Sequence, residues 1–155
     1  SRVPDAADSR DSTFKSQLNM ASTLKLEIVT PEAKTYSEDV EMVTLPGVDG
    51  ELGIFPQHVP LMTQIIPGEI QVQKGGQEYF LAVGEGFVEI TGDRVAIMTD
   101  MAIRAENIDE AKAEEARKRA EARLSEKLGD EEAAMVSAAL AHSLAQLNVK
   151  RRQRR

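Results

Sequence analysis

The chain has 155 residues, 26 acidic against 19 basic side chains, a formal charge of −7 and no cysteine. Disulfides, thiol catalysis and thiolate zinc sites are therefore excluded, and two histidines, His58 and His142, are too few for a multi-histidine metal site. The cations at 150–155 contribute +5, which leaves −12 on residues 1–149, a body that argues against a broad nucleic-acid surface. No apolar run approaches the roughly 20 residues that cross a bilayer, so a soluble or peripheral protein is expected.

Residues 1–19 are polar and aperiodic. Asp5, Asp8 and Asp11 argue against a transit peptide, and no apolar core marks a secretory signal. Met20-Ala21-Ser22 looks like a translation start, so 1–19 reads as a leader or extension outside the fold. From 24 to 99 the pattern is β. Leu24, Leu26 and Ile28 alternate with Lys25 and Glu27, and Val40, Met42 and Thr44 alternate with Glu41 and Val43. Ile70 and Val72 lead to Gly75-Gly76, a two-residue hairpin turn, and Tyr79, Leu81 and Val83 share one face of the return. Gly84-Glu85-Gly86 and Gly92-Asp93 flank two more short strands, 87–91 and 94–99. Short strands punctuated this regularly predict an antiparallel sandwich or flattened barrel over 20–106.

Within it, 46–68 reads PGVDGELGIFPQHVPLMTQIIPG. Val48-Asp49-Gly50 is a turn, since Asp-Gly tolerates a left-handed backbone. Pro56 and Pro60 forbid a helix across them, so Gln57-His58-Val59 is expected at an exposed, rigid loop tip. Such a loop on a β scaffold is a usual place for function, although a plain crossover between strands has the same chemistry.

After Arg104 the period becomes helical. Asn107 with Glu110 three residues on offers a capping box. Ala113, Ala116, Ala120, Leu124 and Leu128 form one stripe, and Ala133, Val136, Leu140, Leu144 and Leu147 a second beyond Gly129. The prediction is an antiparallel helical hairpin over 107–149, followed by a solvated basic tail at 150–155. Alanine buries little area, which makes the hairpin marginal alone.

Little in the chain reads as catalytic. Gly84-Glu85-Gly86 lacks the third glycine of a dinucleotide fingerprint, and no GxxxxGK[ST] loop exists. His58 has no nucleophile beside it in sequence, and Glu114-Glu115 and Glu131-Glu132 read as solvated helix faces. A non-catalytic protein without cofactor or metal is expected.

GELGIFPQHVPL followed by PGEI, with IDEAKAEEARKRAE as a second block, resembles the ε subunit of bacterial F-type ATP synthases, the counterpart of mitochondrial δ, over about 24–149. The resemblance implies a β-sandwich of about ten strands and two C-terminal helices, at the foot of the central stalk. It further implies a peripheral place on the cytoplasmic face of the inner membrane, with the γ subunit and the c-ring loops as partners. By position, the loop with Glu51, Leu52 and His58 would face the ring. Some members bind ATP through I/L-D-x-x-R-A at the first helix; here stand Ile108, Asp109, Lys112 and Ala113, with lysine in place of arginine. Lysine lacks the planar fork, which makes Asp109 and Lys112 weak nucleotide-site candidates. Some members also inhibit hydrolysis when basic residues of extended helices meet the catalytic α/β head. The chain has Arg117, Lys118, Arg119, Arg123 and Lys127 on its first helix but no lysine or arginine from 131 to 149. A nucleotide-sensing module and an unrelated sandwich adaptor with a helical arm are the other readings the residues allow.

Overall fold

The computed structural model describes residues 23–153. The leader expected at 1–19, the Met20 start and the terminal Arg154 and Arg155 lie outside them. Ten strands come first: β1 Leu24–Val29, β2 Lys34–Val40, β3 Met42–Gly47, β4 Gly50–Ile54 and β5 His58–Ile65, then β6 Gly68–Lys74, β7 Gln77–Val83, β8 Gly86–Gly92, β9 Arg94–Thr99 and β10 Ala102–Arg104. A 3-10 turn, Ala105–Asn107, leads to helices α1, Glu110–Leu124, and α2, Asp130–Gln153.

The strands form one sheet in the order β10-β7-β6-β3-β5-β8-β9-β1-β2, with β4 on β3. It curls so that inward side chains from β1 through β9 meet in one core, including Leu26, Ile28, Leu45, Ile70, Leu81, Ile90 and Ile97. Each such side chain contributes about 1.5–3 kcal/mol by leaving water. This is the expected flattened sandwich, with one departure from antiparallel pairing. β1 runs parallel to β9, from Lys25 opposite Arg94 to Val29 opposite Met98. The amide of Lys25 donates to the Asp93 carbonyl at 2.6 Å and sets that register. More than sixty residues separate the two strands, which allows the crossover that parallel pairing requires.

The strand expected through Val40, Met42 and Thr44 is two strands broken at Glu41. The break shifts the alternation, so Val43 and Leu45 are buried while Met42 and Thr44 lie on the half-exposed face. Glu41 is held at the kink by its amide, which donates to the Gln73 carbonyl, and by its carboxylate, which accepts from the Gly75 amide.

A second, smaller core lies outside the sheet under α2. Ala82, Ala105, Ile108, Ala145 and Val149 are buried there, with Phe80, Met101 and Ile103 packed around them. β7 is thus covered on both faces, Leu81 and Val83 by the sandwich core and Ala82 by the helix. The expected capping box at Asn107 is not formed. Asn107 closes the 3-10 turn, Ile108 is drawn into the small core, and Asp109 caps α1 by accepting from the Lys112 amide at 3.1 Å. α1 also stops at Leu124, four residues before Leu128, where the Ser125 hydroxyl takes the Ala122 carbonyl. α2 continues past 149 to Gln153, so Lys150, Arg151 and Arg152 form its last turn. Its stripe is rotated toward Ser143, Ala145, Leu147 and Val149, and Leu144 is exposed.

Candidate functional site

The structure places the segment 46–68 on the end of β3, on β4 and β5, and on the first residue of β6. Val48 and Asp49 form the two-residue turn between β3 and β4, Gly47 opposite Gly50, and Gly50 takes φ +129°, where only glycine is unstrained. Glu51 follows on β4 opposite Pro46 and is exposed; Leu52 is half-buried against the main core. The loop tip is Phe55, Pro56 and Gln57. Gln57 has φ +64°, and its amide donates to Asp93 Oδ1 at 3.3 Å. The expected tip residues His58 and Val59 instead open β5, His58 opposite Gly92, with a bulge before Leu61. Pro60 fits there because a bulge removes the ladder bond that proline cannot make.

Glu51 and His58 therefore do not converge. Glu51 stands at the β3–β4 hairpin, and His58 beyond the far end of β4, which at 3.4 Å per residue leaves roughly 10 Å between Glu51 and Ile54 alone. His58 Nδ1 lies 2.6 Å from the Val59 carbonyl, a local contact. Glu51 instead has an acidic neighbour that the sequence reading did not single out. Glu69 on β6 is pushed above the usual carboxylate range by burial, and Glu51 adds to the rise while Arg152 of α2 opposes it. Arg152 Nη1 sits 2.7 Å from Glu69 Oε1.

The outer face of the sheet carries a feature that alternation alone did not reveal. Val29, Met98 and Phe87 are consecutive partners across β1, β9 and β8, and they are 38%, 55% and 49% exposed. Val48 and Ile66 extend the stripe past β5, and recesses of about 430 and 400 Å³ flank it. Gly86 sits between the recesses, and a Cβ there would strike the Met98 carbonyl and Thr99. Three large apolar side chains in register on a solvent face are costly in an isolated chain and suit burial against another one.

On the hairpin, the carboxylate of Asp109 is occupied as the cap of α1, and the Lys112 side chain is exposed. Two of the α1 cations are paired within the hairpin. Arg117 bonds Glu114 and Glu121, and Arg123 pairs with Glu126 and with Glu132 of α2. Hydrogen bonding from Arg117 lowers the pKa of Glu114 and raises that of Arg117 itself. Among the described residues, no group of three or more His, Asp or Glu is arranged to hold a metal ion, and no helix is long and apolar enough to cross a membrane.

Fold and surface define a class: a β-sandwich with a docked helical hairpin and an exposed face suited to another chain. Residues 23–105 match the family described as ATP synthase, Delta/Epsilon chain, beta-sandwich domain, and residues 106–151 its long alpha-helix domain. The chain is 44% identical over 133 residues to the ATP synthase epsilon chain of Dehalococcoides mccartyi strain BAV1, covering 85% of this chain and 95% of that one. It is 46% identical over 108 residues to the epsilon chain of Desulforamulus reducens, covering 70% and 82%. Among solved structures it resembles a chain of the Euglena gracilis mitochondrial ATP synthase, with TM-score 0.68, 24% identity and coverage of 82% and 80%, a likeness of fold. The chain belongs to the ATP synthase Delta/Epsilon chain family.

Proposed function

We propose that this chain is a rotor subunit of a bacterial F-type ATP synthase, a non-catalytic body that binds γ, rests on the c-ring loops and helps couple proton flow to ATP synthesis. It acts peripherally, on the cytoplasmic face of the inner membrane, and catalysis takes place in other subunits. The stripe of Val29, Met98 and Phe87 carries the reading, because a family member built into a stalk needs one apolar face that stays exposed until assembly. In this reading γ covers the stripe. The β3–β4 hairpin with Glu51 and Leu52 meets the ring, while His58 stands beyond the far end of β4.

Regulation by the hairpin is weak in this proposal. The cap role of Asp109 and the lysine at 112 disfavour tight nucleotide binding, and two of the α1 arginines, Arg117 and Arg123, already have carboxylate partners.

Mixing the full chain with a γ subunit and measuring a one-to-one complex tests the reading. Phe87→Glu and Met98→Glu should each abolish the complex while leaving the melting temperature within a few degrees, since both side chains are about half exposed. Undiminished binding by both variants would overturn it.

A further inference from the structure

The path through the sheet ends at β10 on one side and β2 on the other. The curl brings these two ends together without a hydrogen-bond ladder, and side chains close the seam instead. The Arg104 guanidinium of β10 lies over the Tyr36 ring of β2, 4.8 Å from its centre. Lys74 Nζ of β6 meets Glu38 Oε1 of β2 at 2.7 Å. A recess of about 130 Å³ remains between them, walled by Phe80 and Tyr79 of β7 and bordered by Glu106.

Three properties of the recess point to one kind of guest. First, its size is close to the roughly 150 Å³ that accommodates a single benzene ring, so it takes one flat group and no more. Second, stacking engages the face of a guanidinium and leaves its N–H donors, which lie in the plane, pointing outward. Among the described residues, no carboxylate or carbonyl accepts a hydrogen bond from the Arg104 guanidinium, whereas the Lys74 ammonium is already engaged by Glu38. The unused fork of donors matches a carboxylate, which such a fork binds through two parallel hydrogen bonds. Third, Glu38 and Glu106 border the same space and oppose a multiply charged anion, so a phosphate is disfavoured against a monoanion.

We propose that the seam between β2 and β10 binds a monocarboxylate on a flat or short apolar stem, with the carboxylate on the Arg104 fork and the stem against Phe80 and Tyr79. The inference stands independently of the rotor reading, since the recess and the apolar stripe are lined by different residues. The carboxylate has two possible sources, a free small acid or an acidic side chain of a partner protein.

The test is an amide NMR titration of the full chain with benzoate, and in a parallel arm with the blocked peptide acetyl-Ala-Glu-Ala-amide. Saturable shifts are expected at Tyr36, Glu38 and Arg104, with a dissociation constant below about 10 mM for at least one probe. Tighter binding of benzoate identifies a free acid as the guest, and tighter binding of the peptide identifies a partner side chain. Arg104→Met should weaken binding at least tenfold, with its spectrum away from the seam unchanged. Glu106→Gln should tighten binding two- to threefold and keeps the guanidinium in place if Arg104→Met folds poorly. Absence of saturation with both probes, equal binding by Arg104→Met, or equal binding of inorganic phosphate or benzamidine would overturn the proposal.

Discussion

Gly84 and Gly86 flank the same exposed glutamate, yet their surroundings assign them different sensitivities. A methyl group on Gly86 would press into the backbone of Met98 and Thr99, which belongs to β9 and cannot give way. Gly86→Ala is therefore expected to lower stability by about 1–3 kcal/mol, measured by urea unfolding. On Gly84 the same methyl would meet the ends of two side chains, Asp100 and His142, which lie 3.1 Å apart. Those can swing aside, so Gly84→Ala should cost less than about 1 kcal/mol and act mainly by parting that contact between α2 and the sandwich. Equal losses at both glycines would show that side-chain ends and backbone are not distinguished there.

Glu38 gives a residue-level dependence on pH. Its hydrogen bond from Lys74 and its place beside the Tyr36 hydroxyl hold its pKa below the ordinary 4.5. A carboxylate depressed in the folded state adds stability above its unfolded pKa and loses it as the pH falls through the folded value. Glu38→Gln should therefore melt below the parent chain at pH 7, with the gap closing as the pH drops below about 4.5. A gap that is constant with pH would mean that packing of the side chain, rather than its charge, is what matters.

At the scale of elements, the hairpin is held by small residues and by its last turn. Ala145, Leu147 and Val149 supply the buried surface of α2. Lys150 donates to the Ala105 carbonyl at 3.2 Å, and Arg152 reaches both Glu69 and the face of Phe80. These polar contacts are partly exposed and are each worth up to about 1 kcal/mol. Deleting residues 107–155 should leave the sandwich folded by circular dichroism and raise ATP hydrolysis of the reassembled enzyme less than twofold. A several-fold rise would contradict the weak regulatory role. The sequence made the strands legible because their period of two is written in large side chains such as Leu24, Leu26 and Ile28. It was less informative about the helices. Alanine contrasts little with its neighbours, so Leu128 and Leu144 read as core although α1 ends before the first and the second faces solvent. Asn107 and Asp109 are both good caps, and what decides between them is the burial of Ile108, a tertiary fact.

At the scale of the whole molecule, the block at 46–68 was legible as special, but its geometry was not. Two prolines predicted a loop around His58, while pairing of His58 with Gly92 across 34 residues makes it the start of a strand. The apolar stripe escaped notice for a related reason: Val29, Met98 and Phe87 are far apart in sequence, and only the register of three strands aligns them. That stripe and the Glu51 hairpin are distinct parts of one small body, which the proposed function places between γ and the ring. The chain has no cysteine, so a single reactive probe can be installed at either place. The most direct measurement is photo-crosslinking from a benzophenone attached through Met98→Cys or Glu51→Cys in the reassembled synthase. The account predicts products with γ from position 98 and with the ring subunit from position 51, with ATP hydrolysis preserved in both because the joined parts turn together. Crosslinks from position 98 to the catalytic head, or loss of hydrolysis on crosslinking, would contradict it.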